Sequence, residues 1–133
     1  MFENFNRNIT FLGEEIYDPN SFIGLWLDDG VWSDLEYWKL EKDLLSINFH
    51  YPKNTTIPRN ILWGVMRITQ LMIVPDWDNF SIFKEHELYT LDEDWGIPTI
   101  FDRYERFKYL LGILFTDETD LDDINFGYSF KAN

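Results

Sequence analysis

Residues 33–52, SDLEYWKLEKDLLSINFHYP, limit the fold more than any other stretch of the chain. Ser33 and Glu36 stand in the S-x-x-E arrangement that satisfies the first free N–H groups of a helix, and Pro52 ends it. At about 100° per residue, Glu36, Lys39, Asp43, Ser46 and His50 fall on one narrow polar stripe. Leu35, Trp38, Leu45 and Phe49 lie to one side of it, and Tyr37, Leu40, Leu44 and Ile47 to the other. Glu41 and Asn48 fall between those two apolar sides. A helix apolar around most of its circumference holds only when other elements cover it, so 33–50 is predicted to be a central helix.

Two further segments carry the helical period. In IPRNILWGVMRITQLMIVP (57–75), Pro58 suits a first turn; Ile61, Leu62, Val65, Met66, Ile68, Met72 and Ile73 share one arc, opposite Asn60, Arg67 and Gln70. In IPTIFDRYERFKYLLGILF (97–115), Pro98 opens the segment and Ile100, Tyr104, Phe107, Leu111 and Leu114 form an apolar stripe. Asp102 and Arg106 stand four apart on its expected solvent side. A shorter helix is expected over NSFIGLWL (20–27), with Asn20 as its cap. The expected class is therefore mainly α, with three long helices at about 33–50, 59–74 and 98–115. The alternative is α+β, with 61–74 and 80–91 as strands, because both segments are rich in β-branched or aromatic residues. No internal repeat or linker interrupts the sequence, and one domain over 1–133 is expected.

Charge is distributed unevenly against this pattern. The net charge is −13. Residues 1–34 hold seven acids against Arg7, residues 76–95 hold seven against Lys84, and residues 111–133 hold five against Lys131. The intervening segments, 35–75 and 96–110, are nearly neutral. The surplus thus lies in three blocks, mostly outside the long helices. Such a surface repels nucleic acid and anionic membranes and complements a basic protein. Aromatic residues at 19% and hydrophobic residues at 45% supply a core and argue against disorder. With no cysteine, disulfides, thiolate catalysis and cysteine-based metal sites are excluded. No signal peptide is visible in MFENFNRNITFLGEE. ILWGVMRITQLMIV, interrupted by Arg67 and Gln70, falls short of a membrane span.

Familiar catalytic patterns are missing: there is no G-x-S-x-G elbow, no phosphate-binding loop and no dinucleotide fingerprint. His50 belongs to the polar stripe and reads as a surface histidine. His86, in KEHEL, lacks the second histidine of a zinc helix. The tail DETDLDDINFGY (117–128) departs from a calcium loop at Thr119, Leu121 and Asp122, which leaves room only for a loose, weak cation site. No metal or cofactor is expected. Trp38 reads as core. Trp77, in PDWDNF, and Trp95, in DEDWGIP, are flanked by acids. Each is either an interface anchor among carboxylates or a ring folded back over the core.

Five segments in order, NFNRN (4–8), NSFIGLW (20–26), EYWKLEKDL (36–44), IPR (57–59) and RYERF (103–107), resemble bacterial immunity proteins of polymorphic-toxin and contact-dependent-inhibition systems, immunity family 41 in particular. None of these segments is a chemical signature. They lie largely in the predicted core, so they imply a shared fold rather than a shared contact surface. The resemblance implies a non-enzymatic, cytoplasmic antitoxin that covers the active site or substrate channel of its cognate toxin domain. A nuclease toxin would be basic. The expected toxin-binding residues are Asp76, Trp77, Asp78, Asp92, Glu93, Asp94, Trp95, Asp117, Glu118, Asp120, Asp122 and Asp123. Two other classes remain open: a carboxylate-based glycan hydrolase, and a general nucleic-acid mimic that inhibits DNA-processing proteins.

Overall fold

All three long helices form where the apolar period places them. The computed structural model describes residues 1–10, 16–83, 89–91, 96–116 and 128–130. In chain order the helices are α1 (Glu3–Arg7), α2 (Phe22–Gly24), α3 (Asp34–His50), α4 (Arg59–Met72) and α5 (Ile100–Ile113). Among the described residues, four three-residue strands accompany them: β1 (Val31–Ser33), β2 (Ser81–Phe83), β3 (Tyr89–Leu91) and β4 (Tyr128–Phe130). β1 and β2 pair in parallel, with Trp32 opposite Ile82; β3 and β4 pair antiparallel, with Thr90 opposite Ser129. The fold is mainly α with two small sheets. Residues 61–72 are helical, so the strand alternative fails there, whereas segment 80–91 carries strands at both ends.

Local signals explain most boundaries. The Ser33 hydroxyl accepts from the Glu36 N–H at the start of α3, but the Glu36 carboxylate turns away to Arg7 and Lys39, so half of the expected capping box forms. The complete box is at α5. There Thr99 accepts from the Asp102 N–H, and Asp102 accepts in return from the Thr99 N–H. The cap of α2 is Ser21, whose hydroxyl accepts from Gly24 N–H, rather than Asn20. After α2 the chain widens into a π-turn over Leu25–Asp29 and leaves it at Gly30, whose φ of 62° is left-handed, to enter β1.

The core is aromatic. Phe22, Trp26, Trp32, Tyr37 and Phe107 are all buried and meet mostly edge to face, with Phe22 4.7 Å from Trp32 and Tyr37 5.3 Å from Phe107 between ring centroids. Such pairs add about 0.5–1.5 kcal/mol each beyond the area they bury. Gly24 lets α2 lie against the backbone of Asp18 and Pro19, where any Cβ would collide with both carbonyl oxygens.

Running through this core is a polar ladder. Asp34, Glu41 and Asn48, seven residues apart along α3, are all buried. Arg103 grips both oxygens of Asp34, at 2.8 and 2.9 Å, and its remaining reach goes to the Pro98 carbonyl. Arg106 grips both oxygens of Glu41, at 2.8 and 3.1 Å, and donates to the Tyr128 carbonyl. Asn48 accepts from the Phe115 N–H at 2.7 Å. Because the ties follow the same order on both partners, α3 and α5 run side by side in one direction. The sequence reading that set Arg106 in solvent with Asp102 is corrected: Asp102 caps its own helix, and Arg106 points into the core.

The polar stripe of α3 is also occupied. Asp43 accepts from the Phe5 N–H at 2.9 Å, serving as a remote cap for α1, and Glu36 accepts from Arg7 at 3.2 Å. Its flank differs from expectation too, since Phe49 is 75% exposed and Leu35, Trp38 and Leu45 are half-buried.

Two outcomes follow from this interior. Glu41→Ala strands a buried guanidinium and should lower unfolding stability by about 3–5 kcal/mol, whereas Glu41→Met with Arg106→Met should recover most of that loss; urea unfolding of the three proteins reads it. Burial, reinforced by the charge of Glu41, pushes the Tyr37 phenol well above its usual range, and burial also raises Tyr128. Neutral phenols therefore support the fold fully below about pH 10, and that support drains as pH rises further. Tyrosinate absorbance from these two rings should grow only as near-ultraviolet circular dichroism collapses.

Candidate protein-binding surface

The described acids divide by location. Asp18, Asp34 and Glu41 are buried and ion-paired, and Glu36, Asp43 and Asp102 are half-buried and engaged with a guanidinium or a backbone N–H. At Asp18, burial alone would raise the carboxyl, but the Asn20 N–H and the Arg7 guanidinium together hold it below the usual carboxylate range. Glu3, Asp28, Asp29, Asp76, Asp78 and Glu105 are exposed. Among these, Asp28 accepts from the Tyr17 hydroxyl at 2.8 Å and Glu105 lies 4.0 Å from Lys108. The division carries an electrostatic consequence. Asp34–Arg103 and Glu41–Arg106 are each neutral as pairs, so sealing them inside leaves the whole surplus of −13 to the rest of the molecule.

Of the residues expected to meet a partner, Asp76, Trp77 and Asp78 are described, and they sit together. Asp76 has a left-handed φ of 60° and leads into a single 3-10 turn over Trp77–Asn79. The turn exposes both carboxylates and lays the Trp77 ring flat on Tyr104 of α5, with centroids 4.1 Å apart and planes within 11°. Phe101 meets the same ring edge-on at 5.1 Å. Trp77 is half-buried, so it both covers α5 and presents an aromatic surface between two acids. Asp92, Glu93, Asp94, Trp95, Asp117, Glu118, Asp120, Asp122 and Asp123 lie outside the described residues, as does His86.

One surface escaped the sequence reading. The apolar arc of α4 is wider than the body beneath it: Ile61, Val65, Ile68 and Met72 are buried, while Leu62, Met66 and Ile73, expected on the same arc, are 43%, 63% and 74% exposed. With Thr69 they form a continuous exposed stripe along one edge of α4. Phe101, which meets the Trp77 ring, is exposed too, as is Ile97 ahead of α5. Helical period alone places residues on an arc; how much of that arc is covered depends on partners that the period does not encode.

No described helix is long and apolar enough to cross a membrane, and among the described residues no group of three His, Asp or Glu side chains is arranged to hold a metal ion. Every carboxylate oxygen of Asp34 and Glu41 already accepts from a guanidinium. Residues 7–127 match the family model described as immunity protein 41. The chain belongs to the immunity protein 41 family. That makes it an immunity protein, whose counterpart is a toxin. No curated protein and no solved structure matches it.

The segments that first suggested the family build the scaffold of this immunity protein. In 4–8, Arg7 bridges Asp18 and Glu36, and the Asn8 side chain accepts from Ile23 N–H. Segment 20–26 supplies Phe22, Ile23 and Trp26 to the core, segment 36–44 supplies Tyr37, Leu40, Glu41 and Leu44, and 103–107 supplies both buried arginines. The Trp77 turn lies outside all five. Replacing both Asp76 and Asp78 with asparagine should leave unfolding stability within about 0.5 kcal/mol, since both are exposed. Trp77→Ala should cost about 1–3 kcal/mol through its lost ring contacts. Thermal and urea unfolding compare the two.

Proposed function

We propose that this immunity protein is a cytoplasmic antitoxin of a polymorphic-toxin or contact-dependent-inhibition system. It binds the toxic C-terminal domain of its cognate toxin, a basic nuclease, and covers the active site or the surface that holds nucleic acid. A nuclease must present positive charge to phosphates. An inhibitor displaying clustered carboxylates competes for that same charge. The observation that carries this reading is the separation of acids. Those in the helical core are neutralised by buried arginines, and most of the exposed ones among the described residues, Asp28, Asp29, Asp76 and Asp78, lie in the turns between the helices, with Glu3 on α1 and Glu105 on α5. The contact set is Asp76, Trp77 and Asp78, together with Asp92, Glu93, Asp94, Trp95, Asp117, Glu118, Asp120, Asp122 and Asp123. Binding alone neutralises the toxin; no bond is made or broken by the antitoxin.

The chemistry sets the expected kinetics. A field of one sign steers an oppositely charged partner and raises its association rate by roughly 10- to 1,000-fold at low salt. Co-expression with the toxin encoded immediately upstream should rescue growth, and the purified toxic domain should bind with an association rate that falls at least about tenfold between roughly 0.05 and 0.5 M salt. Cell death despite soluble immunity protein, or no saturable binding to the domain, overturns the reading.

A further inference from the structure

A groove runs between α4 and α5, lined by Thr69, Met72 and Ile73 on one wall and by Tyr104, Phe107 and Leu111 on the other, with a volume of about 430 Å³. That is room for one or two large side chains. Lys108 and Gly112 complete its lining. A Cβ placed on Gly112 meets no heavy atom of the described residues within 4 Å. Glycine inside a helix costs about 1 kcal/mol against alanine, and no contact among the described residues requires it here. Ile73 on this wall belongs to the exposed stripe that also holds Leu62 and Met66. At Tyr104, the other wall joins the ring of Trp77, which brings the exposed carboxylates of Asp76 and Asp78 to that end of the groove.

We infer that this groove is the anchoring site for the toxin domain, and that the toxin enters it with an apolar segment flanked by lysine or arginine. The inference rests on the antitoxin reading and specifies where and how contact is made. Charge complementarity identifies the occupant. An apolar floor beside two exposed carboxylates fits an apolar side chain with basic neighbours, and it disfavours a second copy of this strongly acidic chain. The arrangement also matches how binding energy concentrates: a few large apolar side chains in a desolvated centre, with charges at the rim. The acids bring the toxin in. The groove holds it.

Two substitutions test the groove without disturbing the interior. Gly112→Trp fills it from an open helical position, and Ile73→Glu places a charge on a 74%-exposed residue. The second separates the two contributions, because it makes the surface more acidic: if the field alone bound the toxin, affinity would hold or rise. Calorimetry with the purified toxic domain encoded upstream should show at least about 30-fold weaker binding for both variants, chiefly through faster dissociation, with unchanged circular dichroism. Asp76→Asn with Asp78→Asn should instead slow association and flatten its salt dependence. Affinities for both groove variants within twofold of the unmodified protein overturn this inference while leaving the antitoxin reading intact. So does an unmodified protein that sediments as a dimer and becomes monomeric with Ile73→Glu, since a second copy would then fill the groove. Failure of the unmodified protein itself to bind removes the antitoxin reading instead.

Discussion

Two guanidinium–carboxylate pairs and one amide, set at seven-residue intervals along α3, fix how that helix meets α5. An aromatic core alone would define the alignment loosely, since rings slide past one another at modest cost. Buried charges do not slide: displacing α5 by one residue would set Asp34 and Glu41 against Asp102 and Glu105 in one direction or Tyr104 and Phe107 in the other, and an unpaired buried charge costs several kcal/mol. The arginines extend this alignment outward. Arg103 reaches the Pro98 carbonyl at the entry to α5, and Arg106 reaches the Tyr128 carbonyl of β4, with its guanidinium also over the Tyr128 and Phe130 rings at 5.2 and 5.1 Å. One helix face therefore positions α3, the entry to α5 and the β3–β4 sheet.

The N-terminal segment is attached by the same kind of contact on the opposite polar stripe of α3. Arg7 joins Asp18 and Glu36, Asp43 caps α1, and Gly64 leaves room on α4 for Phe5 and Ile9, whose side chains sit where a Cβ would be. α4 thus has its inner face closed by α1 and α2 and is separated from α5 by the groove. Polar ties between secondary elements concentrate on α3; α4 is held by apolar packing on one side. That asymmetry leaves the outer edge of α4 uncovered by the described residues, with Leu62, Met66 and Ile73 exposed.

The helices were legible because their apolar residues recur at 3.6 and their starts carry caps or prolines. The buried ladder was half-visible: Glu41 and Asn48 stand between two apolar sides of α3, where a solvated face has no room for them. Their partners were not visible, because a lysine or arginine on a predicted helix surface ordinarily faces water, and nothing local marks Arg103 or Arg106 as exceptions. Asp102 and Arg106 were assigned to each other on spacing alone, yet each has a stronger partner elsewhere. The candidate surface was legible as charge but not as shape. Asp76, Trp77 and Asp78 could be singled out from their unusual company, whereas the stacking of Trp77 on Tyr104, residues far apart in the chain, needed the fold. The exposed edge of α4 was concealed by the periodicity that revealed the helix, since covered and uncovered apolar residues look alike in sequence.

Charge and shape answer different demands on an immunity protein. A field of carboxylates speeds encounter with any basic protein and so discriminates poorly, and salt weakens it. Discrimination requires a contact that wrong partners fail to make, through misfit or unpaired groups. Such a contact is most effective where it stays dry and preorganised, which calls for a rigid floor. In the proposed complex α5 is that floor, because its buried face is locked to α3 by ion pairs while its other face lines the groove beside α4. The interior carboxylates and the surface carboxylates thereby serve one end by opposite means. The former are neutralised so that a helix stays in register; on the proposed reading, the exposed ones draw a partner to the surface which that register has fixed.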